Sequence, residues 1–125
     1  MLGDEGERRA IAIIAGTRPE VIKLAPVVDA LRRHGGRPVT VIGTGQHRDL
    51  FDMAAAGCGL AVDHDLDLIR PGQTPAALLA RALPALHRVI GVVRPALVVV
   101  QGDTASAYAG AAVARAADVP VAHVE

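Results

Sequence analysis

The run Ala10-Ile11-Ala12-Ile13-Ile14-Ala15 contains no polar residue, and Gly16-Thr17-Arg18-Pro19-Glu20-Val21-Ile22-Lys23 follows it at once. A strand with one wet face alternates apolar and polar residues, so an unbroken run marks a strand covered on both faces, as in a parallel sheet. Parallel strands need crossovers, usually helical ones. The chain is thereby held to alternating strands and helices. Gly16 permits a tight exit, and Pro19 suits a first helical position, where its missing N–H leaves no helical bond unmade.

Composition narrows the core. Of 125 residues 51% are hydrophobic, yet Phe51 and Tyr108 are the only aromatic ones. Such a core is built from Ala, Val, Leu and Ile, which favours helices on a parallel sheet over a β-sandwich. The length fits a single domain. Lys plus Arg and Asp plus Glu number 13 each, so no basic face is implied and a nucleic-acid partner is not expected.

Further along, strand one is Ala10 to Ala15, and a helix runs from about Pro19 to Arg33, with Val21, Leu24, Val28 and Leu31 at helical spacing and His34-Gly35-Gly36 as the stop. Strand two, Val39 to Ile42, ends at Gly43-Thr44-Gly45. A helix from about Arg48 to Ala56 precedes a loop around Asp63 to Asp67. Thr74 as N-cap and Pro75 as first helical residue open a long helix reaching about Val93, which Pro84 is expected to kink or split. Strand three is Ala96 to Gln101, the next helix runs from about Thr104 to Ala117, and strand four is Pro120 to Val124. The order β-α-β-α-α-β-α-β predicts an α/β fold, a parallel sheet with helices on both faces and right-handed crossovers.

In open sheets of this kind ligands sit beyond the carboxyl ends of the strands. Polar residues collect there: Thr17 and Arg18 after strand one, Thr44, Gln46 and His47 after strand two, Asp103 and Thr104 after strand three, and His123 and Glu125 at strand four. Arg18 and Lys23 at a helix mouth suit an anion, which the free N–H groups and the positive dipole end would also attract. They also fit plain solvated cations. Asp103 is either the N-cap of the following helix, a role open to Thr104 too, or an acid at the site. Glu125, directly after an apolar strand, suits a general base or acid if partly desolvated.

Several chemistries are excluded or disfavoured. No Gly-x-Gly-x-x-Gly follows strand one, and no Gly-x-x-x-x-Gly-Lys-Ser/Thr or Gly-x-Ser-x-Gly occurs. Cys58 is the only cysteine, which excludes an internal disulfide and a Cys-based zinc cage, and a small buried thiol is its expected role. His64 with Asp63, Asp65 and Asp67 reads as an exposed turn rather than a metal site. Residues Met1 to Arg9 do not resemble a signal peptide. No segment nears the ~20 apolar residues that cross a bilayer. A soluble, cytoplasmic protein is expected.

Five segments together resemble one family. Gly16-Thr17-Arg18-Pro19-Glu20 with Lys23, Thr44-Gly45-Gln46-His47, Arg70-Pro71-Gly72-Gln73-Thr74, Val100-Gln101-Gly102-Asp103-Thr104 and Pro120-Val121-Ala122-His123-Val124-Glu125 occur in the order and spacing of the non-hydrolysing UDP-N-acetylglucosamine 2-epimerases. The resemblance covers the chain from about Arg9 onward. It implies an isomerase of two Rossmann-like domains, GT-B-like as in many glycosyltransferases, with UDP-N-acetylglucosamine and UDP-N-acetylmannosamine interconverted in the cleft by elimination and re-addition of UDP. No metal or nicotinamide cofactor is implied. The product serves polysaccharide biosynthesis.

On this resemblance Arg18 and Lys23 match the phosphate-side cations, and Lys23, Asp103 and Glu125 the catalytic groups. Thr17, Gln46 and His47 match substrate-side positions. Gln46 and His47 lie in a loop that adds a regulatory UDP-sugar site in some members, several of which carry Gln where this chain has Asp49. Ala105 and Ser106 replace threonines common in the family. Residues 1–8 are expected to form a disordered extension and 9–125 an incomplete N-terminal domain, because the family continues past the equivalent of Glu125 into a C-terminal domain. The chain alone is therefore expected to be inactive or nearly so. A homodimer, or pairing with a separately encoded C-terminal domain, is implied as the partner. A different UDP-sugar, handled by an epimerase or a hydrolase, fits the same motifs.

Overall fold

The computed structural model describes residues 8–45 and 48–125. Five strands alternate with four helices: β1 (Ile11–Ala15), α1 (Arg18–His34), β2 (Val39–Gly43), α2 (Arg48–Cys58), β3 (His64–Asp65), α3 (Pro75–Val93), β4 (Leu97–Gln101), α4 (Ala105–Ala116) and β5 (Val121–Val124). All pairings are parallel, in the order β3-β2-β1-β4-β5. Central β1 matches Ile13 with Val41 on one side and with Val99 on the other.

The unbroken apolar runs are explained by two cores. Successive strand side chains point to opposite faces. Ala12, Ile14, Ile42, Val98 and Val100 join Leu86 and Ile90 of α3 and Val113 of α4 on one face. Ile11, Ile13, Ala15, Val41 and Val99 join Val21, Leu24 and Val28 of α1 on the other. Helices cover both faces of the sheet, as the element order predicts.

Helix α4 packs tightly on the sheet at Gly110. A Cβ there would lie 2.9 Å from Ile14 Cδ1 and 3.1 Å from Val100 Cγ1. Gly110→Val is therefore expected to lower the unfolding free energy by about 1–3 kcal/mol through overpacking. Urea denaturation checks it, with a shift in midpoint at unchanged slope.

Four expectations are corrected. The segment around Asp63 is no simple exposed turn, because His64 and Asp65 pair with Ile42 and Gly43 as an edge strand. Asp63 Oδ2 accepts the Val41 N–H at 2.8 Å, and Asp65 Oδ1 that of Asp67 at 3.1 Å, so these acids serve local structure. Pro84 does not divide α3, which is one helix from Pro75 to Val93. The carbonyl four residues back that it leaves without a helical partner belongs to exposed Ala80, where water can replace the missing N–H. Cys58 is exposed, since Ala55 and Leu60 take the buried positions around it. Finally, α3 is 19 residues long with mean hydropathy 1.5, long and apolar enough to cross a membrane by length and composition. In this fold its Leu78, Ala82, Ala85, Leu86, Val89 and Ile90 are buried against the core.

Of the expected extension 1–8, Arg8 alone is described, and its guanidinium donates to the Gly36 carbonyl at 2.6 Å. Arg9 donates to the Arg94 and Pro95 carbonyls, and Arg37 to that of Arg9. At this amino-end edge the arginines tie loops together.

Candidate active site at the carboxyl edge of the sheet

From β1 the chain moves outward through β2 to β3, then crosses back to β4 and moves the other way to β5. The reversal opens a crevice between the carboxyl ends of β1 and β4, where sheets of this class place ligands. Gly16 and Thr17 form one lip. Gly102, Asp103 and Thr104 form the other, and Gly102 has φ +77°, a turn geometry that favours glycine.

The β1 lip is organised by a buried acid. Glu20 is 1% exposed. Its Oε1 accepts the N–H of Gly16 at 2.7 Å, the N–H of Thr17 at 2.8 Å and the hydroxyl of Thr17 at 3.0 Å. Thr17 is the N-cap and Glu20 the third helical residue, so the acid returns to the cap N–H as in a capping box. Its Oε2 accepts the hydroxyl of Thr104 from the opposite lip. The helix starts at Arg18, one residue before Pro19.

This arrangement alters the expected anion site. The N–H groups of Gly16 and Thr17 are already taken, and a side-chain carboxylate occupies the positive end of the α1 dipole. Thr17 itself is 4% exposed and its hydroxyl proton is committed to Glu20. Arg18 and Lys23 are exposed, and their side chains make no hydrogen bond or ion pair among the described residues. Five residues apart, they are separated by about 140° around the helix and ~7.5 Å along it, so they do not form a single-faced pair. Any attraction for an anion at this lip resides mainly in these two cations.

At the β4 lip the capping alternatives resolve. Thr104 is the N-cap of α4, its Oγ1 accepting from the Ala107 N–H at 3.1 Å. Asp103 is exposed and does not cap the helix. Glu125 follows β5, whose Val124 pairs with Gln101, and Gly102 N–H donates to the Val124 carbonyl at 3.0 Å. The register thus brings Asp103 and Glu125 to one corner, together with His123, whose Nε2 lies 2.8 Å from the Gly102 carbonyl. Glu125 is exposed, so the partial desolvation on which its acid or base role was conditional is not seen in this structure. Gln46 and His47 lie outside the described residues.

Sequence reasoning passed over three supporting groups: Glu20, Thr104 as its partner, and the pair Thr44 and Ser106, whose buried hydroxyls lie 2.7 Å apart between the end of β2 and the first turn of α4. The spacing Thr17-x-x-Glu20 is the capping-box pattern and was the available signal for the first.

The model of the UDP-N-acetylglucosamine 2-epimerase family matches residues 29–125. The chain belongs to this family. Agreement with the epimerases extends beyond that segment. The Escherichia coli K12 UDP-N-acetylglucosamine 2-epimerase is 35% identical over 115 residues, which are 92% of this chain and 31% of the relative. Among solved structures, an S. aureus protein, MnaA, with UDP bound superposes with a TM-score of 0.87 at 35% identity, over 94% of this chain and 31% of that one. The Methanocaldococcus jannaschii UDP-GlcNAc 2-epimerase in complex with UDP-GlcNAc and UDP gives 0.86 at 34% identity, over 93% and 32%. The chain therefore spans about a third of the epimerases it matches, and the carboxyl-edge crevice belongs to the part it shares with them.

Proposed function

We propose that this chain supplies the phosphate-side and proton-transfer wall of a UDP-N-acetylglucosamine 2-epimerase. The observation that carries the reading is that Arg18, Asp103 and Glu125 stand at the carboxyl edge of an epimerase-family sheet, Arg18 and Asp103 next to the switch point, with Lys23 further along α1. In the reaction a carboxylate accepts the C2 proton while the C1–O bond breaks, and its electron pair leaves with UDP. The remaining 2-acetamidoglucal is reprotonated at C2 on the opposite face, and UDP adds back at C1. Arg18 and Lys23 neutralise the departing diphosphate, Arg18 by a two-pronged fork and Lys23 as a point charge. Asp103 and Glu125 handle the protons. Thr17 contributes by shaping the Arg18 turn, and Gln46 and His47 are assigned to the same substrate on the family motif Thr44-Gly45-Gln46-His47. No cofactor enters this scheme. A second wall, from a C-terminal domain or a separate chain, and a homodimer complete the enzyme in this reading.

Arg18, Lys23, Asp103 and Glu125 all face water here. A water-filled site forfeits much of the orientation and water exclusion on which catalysis depends. The test is proton NMR of UDP-N-acetylglucosamine in deuterated water with the 125-residue chain. Saturable broadening of the ligand signals, reversed by UDP, with the C2 proton retained, is the expected result. No broadening at millimolar ligand would contradict the binding reading, and deuterium at C2 would overturn the expected inactivity of this chain by itself.

A further inference from the structure

We infer that Glu20 is a positioning residue that holds the two lips of the crevice at one spacing, an inference that rests on the proposed UDP-sugar reading for what the crevice receives. Its two oxygens have different duties. Oε1 gathers three donors from Gly16 and Thr17, which fixes the turn leading into Arg18. Oε2 takes the hydroxyl of Thr104, 84 residues away, which fixes the turn carrying Asp103. Arg18 is the residue after Thr17, and Asp103 the residue before Thr104.

A helix cap alone does not require this arrangement. Capping α1 uses one oxygen and the Thr17 N–H. Burying a carboxylate with no cation beside it is costly, and Glu20 has none among the described residues. A carboxylate is also the side chain that presents two acceptor oxygens and no donor, which suits four donors arriving from two turns. Glutamine has the same shape but would turn an NH₂ toward one set of donors.

The test uses the 15N-labelled chain as wild type and as Thr104→Val, Thr104→Ser and Glu20→Gln, each read first without ligand and then with UDP. Thr104→Val removes the Oε2 link while leaving the Oε1 bonds of α1 in place. It is expected to shift the Gly16 and Thr17 amide signals and to speed their hydrogen exchange, although its own lost cap at Ala107 lies on α4. Thr104→Ser restores both. Glu20→Gln alters the acceptor of the Gly16 and Thr17 amides directly and is expected to shift the Asp103 and Thr104 amides through the link. With UDP, Thr104→Val and Glu20→Gln bind about tenfold more weakly, as for loss of one charge-assisted hydrogen bond, while Thr104→Ser binds within about twofold of wild type.

Unmoved Gly16 and Thr17 amides in Thr104→Val would show that no link exists and would overturn the inference. Shifted amides with wild-type UDP affinity would also overturn it, by making the link structural only. If wild type fails to bind UDP, the functional reading falls, and the ligand-free amides still decide whether Glu20 joins the lips.

Discussion

Ile14→Ala is expected to lower the unfolding free energy by about 2–5 kcal/mol, the range for a large side chain deleted from a packed core. Ile14 lies in central strand β1, is 0% exposed, and sits in the core face shared with α3 and α4. Its methyls fill the space that Gly110 leaves open, so truncation opens a void where the backbone of α4 already approaches closely. Relaxation of α4 into that void is opposed by Val98 and Val100 on the neighbouring strand, which pack in the same cluster. Domains of this size hold only about 5–15 kcal/mol in all, so the variant approaches the unfolding threshold. Urea denaturation measures the loss. Ile22→Ala is the control: Ile22 is 44% exposed, and its substitution is expected to stay within about 0.5 kcal/mol of wild type.

Arg18→Ala is expected to weaken UDP binding about 10–100-fold, the equivalent of one hydrogen bond to a charged group. With the Gly16 and Thr17 N–H groups held by Glu20, the backbone at this lip has little left to replace a lost side chain. Arg18→Lys keeps the charge but loses the planar fork, so part of the affinity returns. Lys23→Ala, on a different side of α1, is expected to act independently, and the double variant should lose the product of the two factors. Isothermal titration at low salt provides the affinities. A Lys23→Ala affinity equal to wild type would remove Lys23 from the phosphate side.

The fold was legible where period and punctuation agreed. Unbroken apolar runs identified β1 and β4, and Thr74-Pro75 gave the start of α3 to the residue. The edge strand β3 was not legible, because two residues, His64 and Asp65, are too few to show a period. Of the two outcomes expected at Pro84, a kink or a split, the split does not occur, and a sequence does not reveal that Ala80, four residues back, is exposed. At the site, the motifs brought Arg18 and Asp103 to one crevice. They did not show that Thr17 is turned inward, nor that Thr104 rather than Asp103 caps α4. The first follows from Glu20, whose burial and reach across 84 residues depend on the pairing of β1 with β4, and the second from the bond between Thr104 and the Ala107 N–H.

The most direct test of the account is an amide chemical-shift titration of the 15N-labelled chain with UDP. The account predicts saturable shifts on both lips, from Thr17 to Lys23 and from Gly102 to Thr104, with the amino-end edge unmoved. Shifts centred instead on the arginines of that opposite edge, Arg8, Arg37 and Arg94, or no saturable shift at millimolar UDP, would contradict it.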